Sequence, residues 1–492
     1  MLKSYQFMKG CLFVSVALLT FVSHPAVAQK KTHSTKVAAT AKPQSEDRAV
    51  SRTKQPDAAI VQIMRDVSPL HVQQTIVKLT SFYTRHTLSV NNPGAATSDK
   101  GAIAARNWIK SEFERYSAAC GGCLEVKTDT FIEQPKPGPR SRIPVATELQ
   151  NVYAVLHGTD PEQAKRIYLV TGHYDSRNTD PANSTDQAPG SNDDGSGTAV
   201  SLECARVMSK HKFPATIIFL TVVGEEQGLN GSAHFAKMAK AEGWRLEGVL
   251  NNDIVGGNRT PGDTMQNNNW VRVFSEGIPI AATEADLRRI RSVGGENDST
   301  SRQLARYIRE VAGAYNFGQF TPKLIFRRDR YLRGGDHTSF NEQGFAAIRF
   351  TEYREDYNHQ HQTVRTENGI EYGDLPKFVD FGYVANVARL NAATLASLAS
   401  APAPPGKVRL LTKQLENDSK LEWDAAPGAT AYEVLWRRTT DAEFPEENVT
   451  RVAVTKANLN QSKDNVIFGV RSVDAKGHRS LVVIPEPERA GE

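Results

Sequence analysis

Three apolar runs in the middle of the chain each end in ionisable side chains. Ile167-Tyr168-Leu169-Val170-Thr171 leads into Gly172-His173-Tyr174-Asp175-Ser176, and Ile217-Ile218-Phe219-Leu220-Thr221-Val222-Val223 leads into Gly224-Glu225-Glu226-Gln227-Gly228-Leu229-Asn230-Gly231-Ser232. Gly248-Val249-Leu250 leads into Asn251-Asn252-Asp253. Between the first two runs lies Ser191-Asn192-Asp193-Asp194-Gly195-Ser196-Gly197; Gly334-Gly335-Asp336-His337-Thr338-Ser339-Phe340 and Asn358-His359-Gln360-His361-Gln362 come later. Imidazoles and carboxylates in such numbers can ligate a metal or carry protons. Each piece alone has a simpler reading, since a glutamate pair is usually solvated and an aspartate after a strand usually caps the next helix. Three repeats of strand followed by ionisable groups are hard to explain as solvated surface.

The surrounding pattern supplies the elements that would position them. Apolar runs at 152–156, 167–171, 216–223 and 248–254 alternate with helical periodicity at 198–210 and 232–242, which predicts an α/β sheet with helices on both faces. Such sheets place their sites beyond the carboxyl ends of the strands. Further helices are predicted at 61–85, 103–116, 301–314 and 375–398, with a strand at 346–350. An Ala/Pro-rich linker follows, and then short alternating runs at 407–411, 420–423, 431–437, 451–454 and 466–471 predict a small all-β sandwich.

Taken jointly and in order, GHYDS, NDDGSG, GEEQGLNGS, NND, GGDHTSF and NHQHQ resemble the motifs of the M28 family of zinc peptidases, over roughly residues 60–399. The resemblance implies a phosphorylase/hydrolase-like mixed sheet flanked by helices and two zinc ions per chain. It implies His173 as a ligand of one ion, Asp175 as the carboxylate that fixes the other nitrogen of that imidazole, and Asp193 as the bridging ligand, with a cis peptide between Asp193 and Asp194. Glu226 and Asp253 are then the remaining carboxylate ligands, one for each ion, and Glu225 the general base. Mixed His and carboxylate ligation suits zinc with an open catalytic position. For the fifth ligand His359 is favoured, with Tyr357 two residues upstream and Thr363-Val364 following; His361 is the alternative. Asp336 and His337 are expected to shape the pocket, and Tyr331 lies one residue away from where some relatives place an oxyanion-stabilising tyrosine.

The implied activity is that of an exopeptidase on peptide substrates, in the first place an aminopeptidase. A carboxypeptidase, a glutaminyl-cyclase-like enzyme and a catalytically inactive binding protein are the alternatives. Leu421-Glu422-Trp423, the run 431–436 and the run 468–474 resemble a fibronectin type III module, which could tether the enzyme to a surface or glycan.

Lys3 and Lys9 precede an apolar run at 11–22, and Ala26-Val27-Ala28 offers a small-residue cleavage site. These features predict a signal peptide at 1–28 and a secreted or periplasmic protein. Residues 29–58 read as a flexible leader or pro-segment, 59–399 as the peptidase domain, 400–406 as the linker, 407–486 as the sandwich and 487–492 as a tail. Removing the two leader lysines lowers the formal charge from +5 to +3, a balance that argues against a nucleic-acid partner. No membrane span is expected beyond the short leader run. Of the remaining cysteines, Cys120 and Cys123 are close enough to form a small-loop disulfide in an oxidising compartment, leaving Cys204 as a buried thiol.

Overall fold

The computed structural model describes residues 56–94, 97–135, 138, 142–257, 262–315 and 320–488. The expected signal peptide, almost all of the leader and most of the tail fall outside them. The chain enters with α1 (Ala58–Asp66), α2 (Pro69–Thr80) and α3 (Gly101–Ala119). The single helix predicted at 61–85 is thus two. Pro69 excludes Ser68 from the helical region, and Ser68 instead caps the second helix by accepting the His71 amide at 3.4 Å.

Next come β1 (Leu124–Glu133), β2 (Thr147–Leu156), β3 (Arg166–His173), α4 (Gly195–Met208), β4 (Thr216–Val222), α5 (Asn230–Ala241) and β5 (Arg245–Asn252). Then follow β6 (Trp270–Ser275), α6 (Glu284–Val293), α7 (Thr300–Ala314), β7 (Thr321–Ile325), α8 (His337–Glu342) and β8 (Ala347–Glu352). A two-stranded hairpin, β9 (Arg365–Glu367) and β10 (Ile370–Tyr372), precedes the long α9 (Phe381–Ser400).

Strands β1 to β8 form one mixed sheet in the order β1-β2-β4-β3-β5-β8-β6-β7. Its central strands β4, β3, β5 and β8 are parallel, so their carboxyl ends open on one edge. Side chains alternate between faces along a strand, and this sorts the core. Ile217 and Phe219 of β4, with Tyr168 and Val170 of β3, join the apolar layer that includes α1, α2, α4 and α9. Ile218, Leu220 and Val222, with Leu169, pack in the opposite layer with Phe235 of α5 and Phe340 of α8. Two buried faces explain why these strands read as unbroken apolar runs. Gly172 lets the start of α4 approach β3: a Cβ there would lie 2.4 Å from the Gly197 carbonyl carbon.

The C-terminal strands β11 (Gly406–Leu410), β12 (Ser419–Asp424), β13 (Ala431–Arg438), β14 (Val449–Val452), β15 (Lys456–Leu459), β16 (Val466–Val473) and β17 (Glu486–Pro487) make two small sheets, β15-β12-β11-β17 and β14-β13-β16. They share a core that includes Val408, Leu421, Trp423, Tyr432, Val434, Phe468 and Val470.

This sandwich packs on the peptidase portion, and the described residues form one compact unit. In the expected linker, Ala401 and Ala403 are buried, and the Ala401 carbonyl accepts from Arg166 Nη1 at 2.8 Å. Charge pairs fasten the two parts: Arg437 donates to both oxygens of the buried Asp298 at 2.7 and 2.9 Å, and Arg471 reaches the partly exposed Glu310 at 2.6 Å. Cys120 and Cys123 are joined in a disulfide, and Cys204 is free and buried. Among the described residues no helix is long and apolar enough to cross a membrane.

Candidate active site

At the carboxyl edge of the sheet, His173 is the last residue of β3, and its amide donates to Asp194 Oδ2 at 3.0 Å. Asp194 also caps α4 by accepting the Gly197 amide at 2.8 Å, so one carboxylate ties the strand end to the helix start. The Asp193–Asp194 peptide is cis, where the family resemblance implies it. Asp374 accepts the amides of Asn192 and Asp193 at 2.8 and 2.7 Å and so fixes the chain just before the cis bond. The preceding loop is clamped by the fully buried Arg85, which donates to the carbonyls of Tyr174, Leu79, Pro189 and Gly190 at 2.6–3.1 Å.

The two glutamates sit on the loop between β4 and α5. Gly224 turns the chain at φ 76°, and the loop closes through Asn230 N to Gly224 O at 2.9 Å and Gly231 N to Val223 O at 2.8 Å. Asn151 of β2, completely buried, braces that closure: its Oδ1 accepts from Val223 N at 3.2 Å and its Nδ2 donates to Gly231 O at 3.0 Å. From the other side Asp175 accepts the amides of Glu226 at 3.2 Å and Glu225 at 3.4 Å, besides the Thr87 hydroxyl at 2.8 Å. The same aspartate faces His173 Nδ1, 3.2 Å from its carbonyl oxygen and 3.5 Å from Oδ1.

These supports bring two sets of ligand atoms together, His173 with Glu225 and Asp253, and Asp193 with Glu226 and His361; within each set the atoms lie within 4.8 Å of one another. Asp193 joins the sets. Its Oδ1 is 3.2 Å from His173 Nε2, and its Oδ2 is 2.8 Å from His361 Nε2. His361 Nε2 is also 3.0 Å from Glu226 Oε1.

The preference for His359 is therefore corrected. His359 stacks on Phe378 with ring centres 3.6 Å apart and turns Nδ1 to Asp356 at 3.2 Å, whereas a left-handed residue at His361, φ 55°, swings that imidazole back to the cluster.

Burial pushes the His173 imidazole toward the neutral form, but Asp175 and Asp193 outweigh it and hold its pKa well above the usual value. His361 is likewise opposed by burial yet raised to about 10 by Glu226 and Asp193. Burial raises Glu225 well above the usual carboxyl range, with Asp253, Glu226 and Asp336 adding to the effect against the pull of His173. Asp336, also buried, is pushed up to about 7, first by burial and then by Asp253 and Asp175, against His173. The pocket concentrates negative potential, which favours a cation. His173 Nε2 and Glu226 Oε1 are buried atoms without a hydrogen bond, as befits ligand atoms, and the His and carboxylate donor set is one that zinc accepts.

The remaining expected residues divide. Asp336 is fully buried at the start of α8, in the field of His173 and Asp253. His337 joins neither ligand set: its Nε2 donates to the Arg328 carbonyl at 2.9 Å, and burial lowers its pKa to about 4. Tyr331 is 76% exposed, with the Arg327 guanidinium 4.3 Å from its ring centre, and does not join either ligand set.

Three arginines were not anticipated. Arg349 Nη2 lies 2.9 Å from Asp253 Oδ1, Arg177 Nε 3.1 Å from Glu226 Oε2, and Arg142 Nη1 donates to the Glu226 carbonyl at 2.6 Å. Only Arg349 left a trace in the sequence, as a charge inside an apolar strand run that requires a buried carboxylate partner.

The sequence model of peptidase family M28 matches residues 151–378. A probable zinc metalloprotease of Pyrenophora teres f. teres is 44% identical over 438 residues, spanning 88% of this chain and 88% of its own. One of Leptosphaeria maculans is 43% identical over 435 residues, 88% of this chain and 98% of its own. One of Pyricularia oryzae is 44% identical over 442 residues, 88% and 85%. An 88% span of 492 residues is too long to stop at the end of α9, so the likeness takes in part of the sandwich as well. Identity at this level over most of both partners, together with the family match across the strand-end motifs, carries the conclusion that the chain belongs to peptidase family M28 and is a zinc-dependent metallopeptidase.

Proposed function

We propose that the protein is a secreted aminopeptidase that holds two zinc ions and releases single residues from the amino termini of peptides. The observation that carries this reading is the carboxylate of Asp193, with one oxygen turned to His173 and the other to His361. A carboxylate shared between two donor sets suits a pair of cations. His173, Asp253 and Asp193 would hold one ion, and Asp193, Glu226 and His361 the other. Bound zinc supplies Lewis acidity for the scissile carbonyl and lowers the pKa of water toward neutrality.

The chain's own groups do the rest. Asp175 orients His173 and, through two amides, the Glu225-Glu226 pair. Glu225 accepts the proton that the attacking water loses and delivers it to the departing amine, and its burial favours a carboxyl able to hold that proton. The excess of buried carboxylates favours a substrate's free amino terminus over its carboxyl terminus, which supports amino- rather than carboxypeptidase action. Secretion is supported by the leader pattern at 1–28 and by the Cys120–Cys123 disulfide, which suits an oxidising compartment.

Chromogenic aminoacyl substrates test the reading. The zinc-loaded enzyme is expected to hydrolyse them, and Glu225→Gln to lower kcat by about 10²–10⁴-fold with its zinc retained. No hydrolysis with zinc supplied, or full activity in Glu225→Gln, overturns it. Metal analysis is expected to find two zinc ions per chain; a single ion would favour glutaminyl-cyclase chemistry instead.

A further inference from the structure

We propose that Arg142 and Arg177 form a carboxylate-reading rim on the active site, so that the enzyme prefers peptides bearing a negative charge on the released residue or just beyond it. The proposal rests on the aminopeptidase reading and extends it to substrate class. The two side chains come from different parts of the chain, Arg142 from the connection between β1 and β2 and Arg177 from the loop after β3, and both end on Glu226.

Arg142, an exposed residue, spends its 2.6 Å bond on the Glu226 carbonyl, a contact that fixes the guanidinium without neutralising it. Arg177 keeps 15% of its side chain exposed and lies 3.1 Å from Glu226 Oε2, with Nη2 2.7 Å from His361 Nδ1. Its carboxylate partner is shared, because Glu226 Oε1 also faces His361 at 3.0 Å. Two planar cations therefore converge on Glu226, the neighbour of Glu225 in the chain, and both keep some solvent exposure beside a group of buried carboxylates.

Such a field orients a dipolar substrate. The amino terminus is drawn inward and a carboxylate is met at the rim, where the guanidinium fork matches its geometry. An extended peptide advances about 3.3–3.6 Å per residue, so a carboxylate within one or two residues of the scissile bond is in reach. That carboxylate could belong to an acidic side chain of the released residue, to one on the next residue, or to the free terminus of a dipeptide.

Matched substrate pairs separate these sources on the full-length zinc-loaded enzyme. Glu-p-nitroanilide against Gln-p-nitroanilide reads the released residue, Ala-Glu-amide against Ala-Gln-amide the next, and Ala-Ala against Ala-Ala-amide the free terminus. At least one charged member is expected to exceed its neutral partner in kcat/KM by roughly tenfold, mainly through KM and less so at high salt. That ratio should fall several-fold in Arg142→Gln and in Arg177→Gln, invert toward basic substrates in Arg142→Glu, and be partly restored in Arg177→Lys. The readout is the ratio within a pair, and zinc content measured on each variant separates a lost metal from a lost preference. Ratios near one for all three pairs, or ratios unchanged in both glutamine variants, overturn the proposal. Failure of the aminopeptidase reading has a different signature, hydrolysis of N-acetylated peptides with none of Ala-p-nitroanilide, and it removes the basis of the rim as well.

Discussion

His359 and His361 show how far a single turn decides chemistry. Only His361 meets Asp193 and Glu226, while His359 lies flat on Phe378. His361→Ala is expected to lose about one equivalent of zinc and nearly all activity. His359→Ala should keep its zinc and lose only about 0.5–1.5 kcal/mol of stability with the stacked pair. Metal analysis and denaturant unfolding of the two variants distinguish them, and equal zinc loss in both would contradict the geometry. That His173, Asp193, Glu225, Glu226 and Asp253 gather at one edge of the sheet was legible in the sequence, because each follows a recognisable strand or precedes a helix. The choice between the histidines was not, because Asn358-His359-Gln360-His361 has no periodicity and its outcome depends on one left-handed residue. Arg142 and Arg177 were silent for a related reason: a long side chain reaches its partner through space, and nothing local announces the meeting.

The loop between β4 and α5 is held in shape by an element distant in sequence. Asn151 lies in β2 and occupies both Val223 N and Gly231 O. Asn151→Ala leaves the buried Val223 amide without this acceptor, at a cost of about 1–3 kcal/mol, and removes the link to Gly231 O at the start of α5. The expected result is a lower kcat at nearly constant KM with zinc still bound, together with faster amide exchange over residues 223–231. Unaltered kcat would show that the loop keeps its shape without the brace. Among the elements, the buried parallel strands and their flanking helices were readable because two covered faces demand unbroken apolar runs. The interior strand β6 and the edge strands β1 and β7 were missed; for β1 and β7 the reason is visible. Their burial is partial, so the pattern over Leu124–Glu133 and Thr321–Ile325 is mostly polar or broken by proline. The break between α1 and α2 was marked by Pro69, whose effect on Ser68 the helical periodicity concealed.

Across the whole molecule, the sandwich is joined to the peptidase portion by groups that do not tolerate separation. Arg437 and Asp298 are each nearly inaccessible, and Asp298 keeps Arg306 Nη1 at 3.1 Å when Arg437 is removed, so Arg437→Ala is expected to cost about 1–3 kcal/mol, the loss of charged hydrogen bonds and not of the whole ion pair. Chemical denaturation measures the loss; a change near zero would show the interface to be incidental. A second fastening responds to pH. His478 places Nδ1 2.8 Å from Asp474 and Nε2 3.0 Å from Asp57, the residue that caps α1. The hydrogen bond to Asp474, helped by Asp57 and opposed by burial, raises its pKa. A group that binds its proton more tightly when folded contributes fully below its unfolded pKa, about 6.5 for histidine, and loses that contribution as the pH rises through the folded value. The unfolding midpoint should therefore decline as the pH is raised above about 6.5, less steeply in His478→Gln. Identical slopes would exclude this contact as the cause. The two-part architecture was visible from the change of texture after residue 400, but the tightness of the join was not, since its charge pairs link residues more than a hundred positions apart.

The bond between Asp57 and His478 also fixes when the enzyme can exist. The first helix of the fold is capped by a residue whose partner is made 421 positions later, and Leu481 belongs to the same apolar layer as Ile60. Contacts of such sequence separation form late. A chain that has not yet brought residues 478–481 into place lacks both the partner of the α1 cap and one piece of the apolar layer on which that helix packs, so the first helix is completed only when this distant segment docks.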